Sequence, residues 1–487
     1  MGGPEALAKF KASGRLNARE RIAALLDDDS FHELGSLTGK GHYSREGVFE
    51  RIDPTNAIVG TGRIAGRKVA LHVDDFTIRA GSSEATIADK WIYIERLAHQ
   101  LRMPIIRLVD SAGGSVKLLM QIGGTKIPEY PSWPANELLK TVPVVGVALG
   151  ACAGQGAIKV LSSHFSVMVR EQAQVMAAGP HVVLQAYGQS IDKNALGGHL
   201  VHRKSALVHN EAVDEADALA QVQRFLSYLP RSVFHTAPVL PATDDPGRAD
   251  DWLKDAIPRD RRKIYDPRKI LASIMDRDSV FEIGRWQGGS VITALARLNG
   301  VPVGVIANDP KVQGGAMTIQ AAYKMERHVK LCSQFGLPVI NFVDQPGNAT
   351  GLESELAGTL LAATRVGQAV HDCQSPWLSI IVRRCFGMAG GMHAPKYGEA
   401  LNHRYAWPSA RWGSIPIEGG VMAAHKAEIE AAPDPAAKRA ELEAFYLDLT
   451  SPFRTAEKFG ILDIIDPRET RAILCDWVAD AWGLCVA

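Results

Sequence analysis

Apolar residues in this chain gather into short unbroken runs, each followed by a loop and then by a stretch with helical periodicity. The run at residues 142–148 passes into LGACAGQG at 149–156, and an apolar, helix-compatible segment begins at Ala157. This pattern predicts a buried strand, a tight loop and a helix start. Residues 4–26 place Leu16, Ile22, Leu25 and Leu26 on one side among Arg15, Arg19, Glu20 and Arg21, which predicts a helix closed by Asp27, Asp28 and Asp29. Strand-type runs at 57–64 and 68–73 flank a turn at 65–67. The loop 74–82 then opens a helix over 84–102, and the next strand ends at Asp110.

The pattern then repeats. A second apolar run at 376–382 leads into RRCFGMAGG at 383–391. Gly66 and Gly300, Gly81 and Gly315, Pro104 and Pro338, and Asp110 and Asp344 are each separated by 234 residues, and MPIIRLVD at 103–110 returns as LPVINFVD at 337–344. A period this long marks duplication of a whole domain. The second copy has its own loop at 308–316 opening a helix over 318–334, and QPGN at 345–348 stands where the first copy has SAGG at 111–114. Strand, loop and helix alternate throughout, so the fold class is α/β with crossover connections. We expect an N-terminal domain at 1–237 and a C-terminal domain at 268–487. Between them, 238–267 holds five prolines and mixed charges, including Arg261 and Arg262, and reads as a linker. The charged segment 423–446, interrupted at Pro433 and Pro435, reads as exposed helix without chemistry.

Composition narrows the function. With 487 residues, 54 basic and 53 acidic side chains and a net charge of +1, the chain carries no global field for nucleic acid or anionic membrane, which leaves small molecules or proteins as partners. Six scattered cysteines without a C-x-x-C pair fit a reducing compartment better than a disulfide scaffold or zinc ribbon. No apolar run reaches the roughly 18 residues of a membrane span, and no cleavable leader pattern is present. The expected location is the cytoplasm, with a processed mitochondrial matrix protein looking the same.

The chemistry points to the two glycine-rich loops. A strand-to-helix loop leaves backbone N–H groups without intrahelical partners at the positive end of the helix dipole, which suits an oxyanion. A glycine-rich turn with no chemistry would look alike, but its recurrence in the second copy favours function. Other motifs fall away. The sequence GTGRIAG at 60–66 is too long for a dinucleotide fingerprint, and GSLTGK at 35–40 is one residue short of a P-loop. His199 and His202 could face one metal, but no carboxylate-rich partner accompanies them, so no metal is expected. Arg383 and Arg384 could meet a phosphate or carboxylate, or form ion pairs.

Nine ordered motifs then resemble the carboxyltransferase (β) subunit of the biotin-dependent acyl-CoA carboxylases, the propionyl-CoA and methylcrotonyl-CoA carboxylase group. They are GRLNARERI at 14–22, DDFTIRAGS at 74–82, DSAGG at 110–114, GACAGQGA at 150–157, LGGHLVH at 196–202, NDPKV at 308–312, FVDQPG at 342–347, YAWPSA at 405–410 and IIDPRETR at 464–471. The resemblance covers almost the whole chain. It implies two tandem crotonase-like (ClpP/crotonase superfamily) domains, an acyl-CoA side and a biotin side, with the N-domain of one subunit facing the C-domain of another in a homohexamer. It implies transfer of a carboxyl group from carboxybiotin to the α- or vinylogous carbon of an acyl-CoA. Biotin would be carried by a separate biotin carboxylase and biotin carboxyl carrier (α) subunit, since this chain has neither a Met-Lys-Met site nor a P-loop.

By the same resemblance, the N–H groups of Gly154 and Gln155 would hold the acyl-CoA enolate and those of Met388 and Ala389 the biotin oxygen. Ala80, Gly81, Ser82, Gly113 and Gly114 would line the acyl-CoA path, Gln313, Gly314, Gly315 and Ala316 would face biotin, and Gly391 would leave space at the acyl group. Gln155 and Met388 depart from the glycines of many relatives, and Ser115 and Val116 replace the usual Ala-Arg. Two other readings stay open: a biotin-independent acyl-CoA decarboxylase or related enolate-forming enzyme, and a non-catalytic assembly subunit.

Overall fold

The computed structural model describes every residue except 126, 128, 261, 262, 396–400 and 487, so Arg261 and Arg262 of the expected linker lie outside the described residues. It divides into two compact units, Met1–Thr236 and Ala237–Ala487. Each is built around one mixed sheet.

In the first unit the sheet order is His32–Leu34, Ala57–Ile64, Arg67–Asp74, Ile105–Ser111, Val144–Ala153, Phe165–Val169 and Asn210–Ala212. The first two pairings are antiparallel and the rest parallel; Gln174–Met176 adds to the far end of Val144–Ala153. The second unit repeats this topology with Phe281–Ile283, Val291–Leu298, Val301–Asn308, Val339–Gln345, Trp377–Phe386, Asn402–Ala406 and Asp463–Ile464, and Arg411–Gly413 takes the place of Gln174–Met176. The apolar runs are the central strands, buried on both faces as parallel strands under crossover helices must be.

Packing follows from the helical stripes. Trp91, Ile94 and Ala98 of Ala88–Gln100 cover Val59, Ala70, Ile105 and Val144 in the first unit. Leu474, Trp477, Val478 and Ala481 of Thr470–Val486 cover Ile292, Ala294 and Leu378 in the second. One polar device in the first unit bears on function. The buried Arg107 guanidinium is forked on Glu95 at 2.8 and 2.7 Å, and its Nη1 donates to the carbonyls of Lys159 and Ser162 at 3.1 and 2.7 Å. Those carbonyls end the helix Gln155–Leu161, so a cation holds the far end of the helix whose first turn forms the loop of interest.

Several elements differ from the sequence pattern. The expected helix at 4–26 is two, Pro4–Lys11 and Ala18–Leu25, because Asn17 caps the second: its side chain accepts from Arg19 and Glu20, and Glu20 reaches back to the Asn17 amide. The described residues of 238–267 belong to the second unit. Its Leu253 and Tyr265 are buried, Asp251–Asp255 forms a 3-10 turn, and Leu240 donates to the Gly300 carbonyl at 3.1 Å. Pro435 starts a helix, Pro435–Leu449, instead of interrupting one, since proline suits the first helical turn. Among the described residues no helix is long and apolar enough to cross a membrane.

Candidate functional site

In the first unit the predicted residues converge at the carboxyl ends of three neighbouring strands. The loop after Arg67–Asp74 folds back over the end of Ile105–Ser111: Ala112 donates to the Ala80 carbonyl at 3.0 Å, Ser111 Oγ to the Gly81 carbonyl at 2.7 Å, and Ser83 to the Gly113 carbonyl at 3.0 Å. This close approach fixes two glycines. Gly81 has φ +65 and a Cβ there would lie 2.3 Å from the Asp110 carbonyl oxygen; Gly113 has φ +87 and a Cβ there would lie 2.8 Å from the Ala153 carbonyl oxygen. Ala80 is itself left-handed at φ 52, Ser82 is buried with an unpartnered Oγ, and Gly114 is exposed. Ala80, Gly81, Ser82, Gly113 and Gly114 thus border the loop that begins at Ala153.

That loop turns at Gly154, φ 54, and the helix Gln155–Leu161 starts immediately. The Gly154 amide is not a free donor: it donates to the Met176 carbonyl at 3.1 Å. Gly154, expected as half of an amide pair, therefore has its donor engaged by the neighbouring strand in this structure. The first-turn amide of Gln155 has no acceptor among the described residues, as expected at a helix start, and Gln155 is half-buried while Gly156 behind it is buried. The Gln155 side-chain Nε2 is also buried and unpartnered.

The second unit builds the same arrangement. Gln313, Gly314 and Gly315 all have positive φ (47, 63 and 86), and a Cβ on Gly315 would lie 3.1 Å from the Asp344 carbonyl oxygen. Asn308 Nδ2 donates to the Gly315 carbonyl at 3.3 Å and to Gln345 Oε1 at 2.8 Å, while Arg384 Nη2 donates to the Gly314 carbonyl at 2.6 Å. Ala316 donates to the Gln313 carbonyl at 3.1 Å. The strand Trp377–Phe386 then runs into the short helix Gly387–Gly391, turning at Gly387, φ 63.

Equivalence between the units is set by strand pairing. Ser111 pairs with Cys152, and Gln345, its counterpart by the 234 period, pairs with Cys385, 233 residues after Cys152. Gly154 therefore corresponds to Gly387 and Gln155 to Met388, one residue out of step with the Met388 and Ala389 pairing. Exposure agrees with this register. Met388 is 71% exposed, whereas Ala389 is fully buried, so the Ala389 amide does not face solvent. Gly391 is half-buried at the end of the helix. The signal for this register was present in the chain as Cys-x-Gly at both 152–154 and 385–387. The engaged Gly154 amide had no such signal, because its acceptor lies on a strand 22 residues later.

Beneath each loop lies a buried ion cluster. Asp110 accepts from Arg15 and, at 3.1 Å, from Arg21, which is forked on Glu215 at 2.7 and 3.0 Å. Burial pushes the Asp110 carboxyl up despite the opposing pull of Arg21 and Arg15. Asp344 accepts from Arg383 at 3.0 and 2.8 Å, from Arg384 at 2.6 Å and from the Tyr265 hydroxyl at 3.0 Å. Of the two roles open to Arg383 and Arg384, the structure shows the ion pair. The amides of Asp110 and Asp344 donate to Asp74 and Asn308, at 3.2 and 3.0 Å. The strand ends carrying the loops are thus cross-tied in the same way in both units.

His202 is engaged with the Val175 carbonyl at 2.8 Å and Ser205 at 2.9 Å, and His199 lies 3.5 Å from Glu171. Among the described residues no cluster of three His, Cys, Asp or Glu could hold a metal.

Comparison with known proteins gives a consistent picture. A carboxyl transferase domain model matches residues 9–482. The chain is 31% identical to the propionyl-CoA carboxylase carboxyltransferase subunit of Haloferax mediterranei, covering 96% of this chain and 91% of that one. It is 28% identical to the methylmalonyl-CoA decarboxylase alpha subunit of Veillonella parvula, covering 98% and 92%. The transcarboxylase 12S crystal structure, a hexamer solved with methylmalonyl-coenzyme A, superposes with a TM-score of 0.88 at 27% identity over 99% of this chain and 93% of that one. The chain therefore belongs to the carboxyl transferase family, as an acyl-CoA carboxyltransferase built from two crotonase-like α/β units.

Proposed function

We propose that this chain moves a carboxyl group from carboxybiotin to the α-carbon of an acyl-CoA, with one loop per reactant. The observation that carries this reading is the pair of equivalent strand-end turns, each with a first-turn amide that has no acceptor among the described residues, on half-buried Gln155 in one unit and exposed Met388 in the other. Removing a proton beside a thioester drives negative charge onto the carbonyl oxygen, and a preorganised N–H donor aimed at that oxygen is worth about 3 kcal/mol. In the first unit the Gln155 amide takes this role, Gly154 acts as the pivot that aims it, and the path along Ala80, Gly81, Ser82, Gly113 and Gly114 receives the CoA ester.

In the second unit the Met388 amide and the loop Gln313, Gly314 and Gly315 suit the biotin ring. The fit rests on an orphan donor beside a cradle of left-handed backbone held over Asp344. Biotin, when bound, supplies the carboxyl group and a group able to accept the substrate proton. The chain supplies charge stabilisation and position. Gly391 leaves room where a side chain would narrow the acyl end. A separate biotin carboxylase and carrier subunit charges biotin, and a homohexameric core follows the precedent of the 12S hexamer.

The test combines purified chain, a biotin carboxylase and carrier subunit, ATP, labelled bicarbonate and a panel of acyl-CoA esters. Acid-stable label in the ester supports transfer, and absence of label across the panel refutes it. The kinship with the Veillonella decarboxylase subunit favours one second reading, in which the same first-unit turn serves carboxyl removal. Carbon dioxide release from methylmalonyl-CoA without biotin would establish that reading instead.

A further inference from the structure

The second unit contains a cavity of about 1070 Å³ that no step above uses. This is at the upper end of small-molecule sites, which run to about 1,000 Å³. Ile257, Phe386, Ile417, Leu447, Phe453 and Ile464 give its lining an apolar part. Five cationic side chains, Lys254, Arg259, Arg383, Arg384 and Arg411, also line it, against one described carboxylate, Asp466. Arg384 is tied to Asp344 and Gly314, whereas Lys254 and Arg259 are exposed, and Lys254, after Arg468, helps hold the Asp466 carboxyl below the usual carboxylate range.

The side of the cavity carrying Ile417 and Leu447 is an unusual part of the fold. It belongs to a helical arm, Ile417–Ala424, Lys426–Ala431 and Pro435–Leu449, inserted between the strands Arg411–Gly413 and Asp463–Ile464. The last helix buries none of its residues and its surface is held by local pairs, Lys438 with Glu428 and Glu441, and Arg439 with Glu443. His425 joins the helices by contacts to Glu428 and the Tyr446 hydroxyl, both at 2.8 Å. An arm that adds little to the core yet lines a hollow with both apolar and cationic side chains suits a ligand with an apolar body and an anionic head.

We propose that this cavity binds an amphipathic anion, an aliphatic chain ended by a carboxylate or carried on an anionic thioester. All of its lining residues belong to the second unit, and its occupancy can be read by binding alone. Each methylene that leaves water for such a wall raises affinity about two- to fourfold.

The experiment is calorimetric titration of the intact assembled protein with hexanoate, octanoate and decanoate below their micellar concentrations, and with decanoyl-CoA. The expected result is affinity rising with chain length by that factor per methylene. It should fall at least tenfold in Leu447→Trp, which fills the hollow, and at least tenfold in the Lys254→Glu/Arg259→Glu double variant. Ile417→Trp provides a second filling variant should Leu447→Trp disturb its helix, with helicity checked by circular dichroism. Binding of decanoate identifies the free acid as sufficient; binding of decanoyl-CoA alone, still lost in the variants, identifies the thioester. Absence of binding, affinity independent of chain length, or binding that survives both filling and charge reversal overturns the proposal. In the last case the ligand occupies another site, such as the first-unit turn.

Discussion

Replacing Gln155 with proline isolates one hydrogen-bond donor at almost no structural cost. Gln155 is the first residue of its helix, where the missing N–H has no intrahelical acceptor and the fixed φ of proline is already helical. The preceding Gly154, at φ 54 and ψ −115, occupies the mirror image of the extended region, which a glycine before proline accepts. Its amide stays on the Met176 carbonyl, its carbonyl still accepts from Ile158 at 3.1 Å, and Arg107 still holds the far end of the helix. What disappears is the Gln155 amide, the donor proposed for the substrate oxygen, together with the side-chain Nε2, and Gln155→Ala removes the second alone.

One preorganised donor contributes about 3 kcal/mol, so kcat should fall by about two orders of magnitude in Gln155→Pro. The Michaelis constant should move less than about threefold, because the donor acts on charge that develops only in the transition state. The assay is carboxyl transfer to free biotin from the carboxylated form of the acyl-CoA that the panel identifies. An unchanged kcat in a folded Gln155→Pro protein would show that this amide stabilises no charge. An equal loss in Gln155→Ala would move the effect to the side chain.

The ion clusters make two further predictions. Asp344→Ala strips the shared acceptor from Arg383, Arg384 and Tyr265 and leaves a buried guanidinium unpaired, so the second unit should lose about 3–5 kcal/mol; urea unfolding followed by tryptophan fluorescence measures it, and a loss under 1 kcal/mol would refute the account. Lys324, whose Nζ donates to the Gly284 and Gln287 carbonyls at 3.1 and 2.8 Å, is pushed down to about 7 by burial. Between that value and the unfolded lysine range the unfolded chain binds the extra proton, so this residue adds stability as pH rises from 7 toward 10, by about 1 kcal/mol per pH unit. Lys324→Met should therefore lose ground to the parent protein as pH rises from 7.5 to 9.5, and parallel stability profiles would count against the burial argument.

The duplication was legible because both copies keep the residues that close backbone approach demands. Gly81 and Gly315 sit over the carbonyls of Asp110 and Asp344, where a Cβ would collide or crowd, so the spacing of 234 survives at those points. Between the strands Ile105–Ser111 and Val144–Ala153 the second copy is one residue shorter, a change that a loop absorbs and a strand ladder does not. Beyond that point, counting by 234 pairs Gly154 with Met388, whereas the ladder pairs it with Gly387. The identity of the free donor was hidden for a different reason: whether an N–H at a strand-to-helix turn is spent depends on a neighbouring strand, and Gln174–Met176 reaches the Gly154 amide only once the sheet has formed. Local sequence therefore locates a turn that can hold an anion, while the sheet around it decides which amide is left to do so. In this protein those two levels differ by one residue, the margin that the Gln155 variants are designed to measure.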